Sequence, residues 1–140
     1  MQRIDPALIA RLRTVFDGVA GIRLAVLFGS EASGRARPDS DVDIAVLGAA
    51  HEFDDSAESH LTQALSLATR RNVDLIRLEC ASTMLKWQIA SKGVPLVERT
   101  VGEFARFRAG AASEYVEFAP AFSYHGEIFR LKLIERARAT

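Results

Sequence analysis

Apolar residues recur at helical spacing near the start of the chain, at Leu8, Leu12, Val15, Phe16 and Val19, with Pro6 suited to a first helical turn. The pattern predicts an amphipathic helix closed near Gly18 or Gly21. Arg23–Phe28 is then a short, nearly continuous apolar run ended by Gly29, as expected of a buried strand. Residues 29–40 are rich in Gly, Ser, Arg and Pro and read as a loop, opening on either a turn or a short helix at Gly29-Ser30. Asp41–Leu47 reads as a second strand closed by Gly48. Leu61, Ala64, Leu65 and Ala68 mark one face of a helix over about Asp55–Arg70, and Val73–Leu78 is a third strand. Ser82 or Thr83 caps a further helix holding Met84, Leu85 and Ile89 and ended by Gly93. Val94–Glu98 reads as a short edge strand, because Pro95 cannot sit centrally in a sheet. Beyond it Phe104, Phe107, Ala111, Tyr115 and Phe118 step by three and four along one helix face. Pro120 breaks that helix, and Phe122–Arg138 reads as another.

Strands and helices alternate through residue 98, after which helices take over. The expected fold class is therefore α/β or α+β: a small mixed sheet flanked by helices, with a helical C-terminal tail. Residues 1–100 form the core and residues 101–140 a helical extension of the same domain. The 140 residues, 49% hydrophobic and 26% charged, suit one domain with a sizeable core and rule out disorder of the whole chain. Zero net charge argues against a DNA-coating protein, which needs surplus Lys and Arg. No apolar run approaches the roughly 18 residues of a membrane span, and Met1–Asp5 does not open a signal peptide. Cys80 is the single cysteine, so no internal disulfide forms, and His51, His60 and His125 are too scattered to complete a zinc site with it. The expectation is a soluble cytoplasmic domain with neither a membrane nor a direct nucleic-acid partner.

Charge is unevenly spread. Eight acids and two bases, Arg35 and Arg37, fall between Glu31 and His60. Glu52 to Glu58 read as a solvated face. Asp41 and Asp43 differ, because residues two apart in a strand share a face, which leaves Val42, Ile44 and Val46 for the core side. Two carboxylates so close repel unless a proton or cation lies between them, and an oxygen donor set without His or Cys suits Mg²⁺ or Mn²⁺. At the end of the first strand, Gly29 permits close backbone approach, and the N–H groups that follow, with Ser30 Oγ, could hold a phosphate. Gly29 to Gly34 has the spacing of a P-loop, but Arg35-Ala36 stands where Lys-Ser/Thr is required, so that reading is rejected. Elsewhere, Cys80 reads as a small half-buried residue near a strand end. Trp87 reads as packing and the Phe104-to-Phe118 stripe as core or subunit contact. Tyr115, Tyr124 and His125 have no constellation around them.

Gly29-Ser30, ten residues, then Asp41-Val42-Asp43 matches the signature of the DNA polymerase β-like nucleotidyltransferase superfamily, and the chain resembles its minimal nucleotidyltransferase (MNT) branch over about residues 20–100. The family pattern adds a third carboxylate on a later strand, and Asp74 stands at a fitting place. The resemblance implies transfer of a nucleoside monophosphate from an NTP, with ATP as substrate and Mg²⁺, or Mn²⁺, held by Asp41, Asp43 and Asp74. Asp74 would ligate the metal at the attacking hydroxyl and help take its proton. Gly29 and Ser30 would hold the β- and γ-phosphates, and Arg35 or Arg37 would touch the triphosphate. Glu31 puts a carboxylate beside that phosphate position. A compact transferase of this kind looks like the antitoxin half of HEPN/MNT toxin–antitoxin pairs, which adenylylates a tyrosine of its HEPN ribonuclease partner and forms a complex with it. The aromatic stripe, with Phe122, Tyr124 and Phe129, would supply part of the docking surface. Two alternatives remain: transfer to a small molecule such as an aminoglycoside, or to RNA, and a catalytically idle toxin-binding module. Uncompensated carboxylates argue against the idle module, and the lack of a basic stripe argues against RNA.

Overall fold

The computed structural model describes residues 4–34, 36–37, 39–49 and 51–118. Helix α1, Pro6–Asp17, starts where the Asp5 side chain accepts a hydrogen bond from the Ala7 N–H at 2.9 Å, with Pro6 in its first turn, and it buries Leu8, Leu12 and Phe16. Strand β1, Ile22–Phe28, runs directly into a short helix α2, Gly29–Ser33. The segment expected as a loop from residue 29 thus opens with one helical turn. Strand β2 is Val42–Gly48, so Asp41 lies one residue ahead of the strand in which it was expected. Helix α3, Asp55–Thr69, is capped by Asp54, which accepts from the Ala57 N–H at 2.8 Å. Strand β3, Val73–Arg77, passes into a 3-10 turn at Leu78–Cys80, which leaves Cys80 exposed instead of half-buried. Helix α4, Thr83–Lys92, is capped by Ser82 and leads to strand β4, Val94–Glu98. Helix α5 covers residues 103–118. The proposed break at Pro120 and the helix Phe122–Arg138 lie outside the described residues.

The four strands form one sheet in the order β3-β2-β1-β4, with β1 antiparallel to β2 and to β4, and β2 parallel to β3. Helix α3 makes the crossover that a parallel pair requires. Residues alternate between the two faces of each strand, and both faces are apolar. On one face Ala25, Leu27, Val42, Ile44 and Val46 meet Leu8, Leu12 and Phe16 of α1 and Leu61 and Leu65 of α3. On the other, Leu24, Val26 and Ala45 meet Ile89 of α4, with Phe104 and Phe107 of α5 packed against them. Sheet strands covered on both sides read as continuous apolar runs, which explains residues 24–28. Helices α4 and α5 are further joined by Glu114, which accepts from Thr83 Oγ1 at 2.8 Å and from Lys86 Nζ at 3.3 Å, and by Trp87 stacked on Tyr115 at 4.9 Å. No helix among the described residues is long and apolar enough to cross a membrane.

Two arginines close the outer side of the sheet. Arg13 of α1 donates to the Leu96 and Pro95 carbonyls of β4, each at 3.2 Å. Arg99, just after β4, donates to the carbonyls of Phe16, Val19 and Ile22 at 2.9, 3.0 and 3.1 Å, which ties the end of α1 to the start of β1. Replacing Arg99 with Ala is expected to lower the stability of the fold by about 1–2 kcal/mol, the scale of charge-assisted bonds in a partly exposed setting. Urea denaturation at neutral pH checks this, and an unchanged midpoint would show that water serves those carbonyls equally well.

Candidate active site

Three strands bring the signature residues to one end of the sheet. Across β1 and β2, Phe28 pairs with Asp43; across β2 and β3, Asp43 pairs with Asp74. Asp43, Ala45 and Leu47 point to the same face, opposite Val42, Ile44 and Val46, so the polar positions Asp43 and Asp74 are the open end of the face that α4 and α5 cover further along. The chain leaves β1 at Phe28 and turns at once through Gly29, whose φ of +73° disfavours any residue with a Cβ. A Cβ at Gly29 would also run into the Asp43 carboxylate. One glycine thus meets a backbone demand and a close approach together. Ser30 follows, half-buried, in the first turn of α2, which no side chain caps. Asp41, exposed, stands just ahead of β2, and the Val42 N–H donates to the Asn72 carbonyl at 2.9 Å, fixing the two strand starts side by side.

The electrostatics follow from this crowding. Burial pushes the Asp43 carboxyl above the ordinary carboxylate range, and the charges of Asp74 and then Asp41 push it further. Both of the other sequence-predicted carboxylates therefore act on Asp43. Among the described residues, no three Asp, Glu, His or Cys side chains gather tightly enough to hold a metal ion by themselves. A pair of carboxylates without His or Cys is nonetheless the kind of oxygen donor set that Mg²⁺ uses. Mg²⁺ usually takes one or two carboxylates and fills its remaining positions with water and substrate phosphate.

Glu31 is turned inward, away from solvent. It is 6% exposed and forms an ion pair with Arg71, which sequence reasoning missed. Arg71 Nε also donates to the Ser40 carbonyl at 2.8 Å, and its Nη2 to the Arg37 carbonyl at 3.4 Å. No spacing rule joins residues 31, 40 and 71, so no sequence signal could have found this contact. Arg37 itself is exposed, and Arg35 lies outside the described residues. The acidic run is only partly a solvated face: Asp54 caps α3, while Asp55 and Glu58 pair with Arg77 at 3.3 and 3.0 Å. In the aromatic stripe Phe104 and Phe107 are turned onto the sheet, whereas Phe118 is exposed; Phe122, Tyr124, His125 and Phe129 lie outside the described residues.

Comparison with known proteins identifies the family. The family model "Polymerase beta, Nucleotidyltransferase" matches residues 11–101, and the chain belongs to that family. The protein adenylyltransferase MntA of Shewanella oneidensis is 38% identical over 96 residues, covering 69% of this chain and 67% of that one. A chain of a toxin–antitoxin crystal structure with AMP-PNP superposes with a TM-score of 0.72 at 29% identity, covering 87% of this chain and 98% of the other. A chain from the complex of the tri-AMPylated Shewanella oneidensis HEPN toxin with its MNT antitoxin gives a TM-score of 0.67 at 27% identity, covering 88% and 96%.

Two expectations follow from the geometry. Gly29→Ala is expected to cost about 1–2 kcal/mol for the left-handed backbone alone, with a further loss from the collision with Asp43, read as a lowered melting temperature. Asp43 protonates more readily in the folded chain than in the unfolded one. Its ionisation therefore subtracts stability as pH rises from the ordinary carboxylate value through the raised one, and it subtracts nothing below that window. In metal-free buffer Asp43→Asn should be at least as stable as the wild type at neutral pH, with the advantage vanishing below about pH 4. A less stable Asp43→Asn at pH 7 would contradict the crowding described here.

Proposed function

We propose that this nucleotidyltransferase is an antitoxin that acts in the cytoplasm, transferring AMP from ATP to a tyrosine of a HEPN ribonuclease toxin and so neutralising it. The observation that carries the reading is the row Asp43–Asp74 at the sheet end, with Gly29 pressed against the Asp43 carboxylate. It gives the family's signature residues a common location and a reason for their identities. The adenylyltransferase and toxin–antitoxin relatives supply the acceptor class.

In this reading the Gly29-Ser30 turn holds the β- and γ-phosphates, with Arg35 reaching the triphosphate from the adjoining loop. Asp41, Asp43 and Asp74 would hold Mg²⁺ (or Mn²⁺), which when bound neutralises charge on the triphosphate and lowers the pKa of an attacking hydroxyl. Asp74, exposed beside Asp43, faces the acceptor and takes its proton. The tyrosine oxygen then bonds to the α-phosphorus, the bond from that phosphorus to the bridging oxygen breaks, and pyrophosphate leaves. A phenol, with pKa near 10, gives up its proton more easily than an aliphatic alcohol. Exposure of Asp41 and Asp74 leaves the described part of the site open to a macromolecular acceptor.

The test mixes the protein with Mg–ATP and a HEPN-type toxin, then weighs that toxin as an intact protein. Mass increments of AMP are expected with the wild type and are expected to vanish with Asp41→Asn/Asp43→Asn. An unmodified partner, or equal labelling of an aminoglycoside, would overturn the reading. Ser30→Ala is expected to raise KM for ATP more than it lowers kcat, since Ser30 grips the leaving end instead of the reacting phosphorus. A fall in kcat at unchanged KM would reassign it.

A further inference from the structure

Between the two halves of the site, Arg37 and Ser40 are both held by one side chain from another segment. Arg71, which follows α3 and precedes β3, forks in two directions. Its Nη1 pairs with Glu31, the residue after Ser30. Its Nε and Nη2 take the carbonyl of Ser40, the residue before Asp41, and Nη2 also reaches the Arg37 carbonyl. The Arg37 N–H also donates to Ser40 Oγ at 2.8 Å, so the two anchored residues are joined to each other as well. The Arg71 and Glu31 side chains are only 16% and 7% exposed, so this is no loose surface pair. Three residues later the same chain supplies Asp74.

We propose that Arg71 is a positioning residue that acts on the two halves of the site separately. This rests on the assignment of Gly29, Ser30, Asp41, Asp43 and Asp74 made above. Toward α2, it neutralises Glu31 and holds it inward, so that the triphosphate beside Ser30 meets no unpaired carboxylate. Toward β2, it ties the Ser40 carbonyl and thereby sets where Asp41 stands just ahead of the strand. A planar guanidinium can serve carboxylate and carbonyl together; an ammonium is a point charge and cannot span both. The two tasks therefore separate by substitution.

The experiment uses the full chain with Arg71→Lys, Arg71→Ala and Arg71→Ala/Glu31→Gln. It measures Mg–AMP-PNP affinity by calorimetry, kcat for AMP transfer to a HEPN-type toxin, and melting temperature. Arg71→Ala is expected to bind the nucleotide about tenfold more weakly, the scale of one poorly screened charge near a phosphate, and adding Glu31→Gln is expected to restore the affinity. Arg71→Lys keeps the charge and is expected to bind as the wild type does, yet to transfer about 10²-fold more slowly at saturation, the scale of a misplacement near 1 Å. A purely structural ion pair would move the melting temperature without this split between affinity and turnover. Wild-type kcat in Arg71→Lys, or a loss of affinity in Arg71→Ala that Glu31→Gln does not restore, would overturn the proposal. If Arg71→Ala does not fold, Arg71→Lys and the double variant decide: wild-type affinity in both, with slow transfer in both because each lacks the fork, supports the proposal, and wild-type kcat in Arg71→Lys overturns it. Failure of the wild type itself to bind nucleotide would instead strike the functional assignment beneath it.

Discussion

Carboxylates placed opposite each other on neighbouring strands repel, and the end of this sheet is built around one such pair. Asp43 and Asp74 share a register position in the parallel β2–β3 ladder, so neither can withdraw without slipping its strand by a residue. A slip would send Val42, Ile44 and Val46 to the wrong face. The core on the α1–α3 side therefore holds the charges together against their own repulsion. Burial adds to the strain by keeping the Asp43 carboxyl protonated more readily than usual. Gly29 completes the arrangement from β1, since no larger residue leaves room for the Asp43 carboxylate.

The same frame explains the surrounding polar contacts. Buried among the described residues, Glu31 would be costly alone, and Arg71 relieves that cost while it joins three segments that are distant in sequence. Arg99 and Arg13 do comparable work on backbone carbonyls at the far side of the sheet, away from the carboxylates. Arginine recurs at these joints because a rigid fork serves two acceptors at once.

What could be read from the sequence was what is local or periodic. Leu8, Leu12 and Phe16 announce α1 by their spacing, Ser82 and Gly93 bracket α4, and Pro95 marks β4 as an edge. The Gly29-Ser30 to Asp43 spacing matched a family signature, and the structure brings Gly29, Asp43 and Asp74 together at one end of the sheet. What escaped depends on pairing between distant segments. Asp41 falls just outside β2 because the ladder with β3 begins at Val42. Helix α2 is too short to show a period, Cys80 is exposed by a 3-10 turn, and Trp87 finds Tyr115 only when α5 folds back onto α4. The inward turn of Glu31 is the clearest case, since its partner lies 40 positions away on another element.

Pro95 and Arg13 carry a consequence for how this chain can associate. An edge strand with free donors and acceptors is a template on which another chain can add a strand. On β4 Pro95 lacks the donor, and Arg13 already occupies the carbonyls of Pro95 and Leu96. Backbone-to-backbone extension is blocked on that side. A partner must therefore recognise β4's neighbourhood through side chains, where shape and charge discriminate, instead of through main-chain groups that every protein shares.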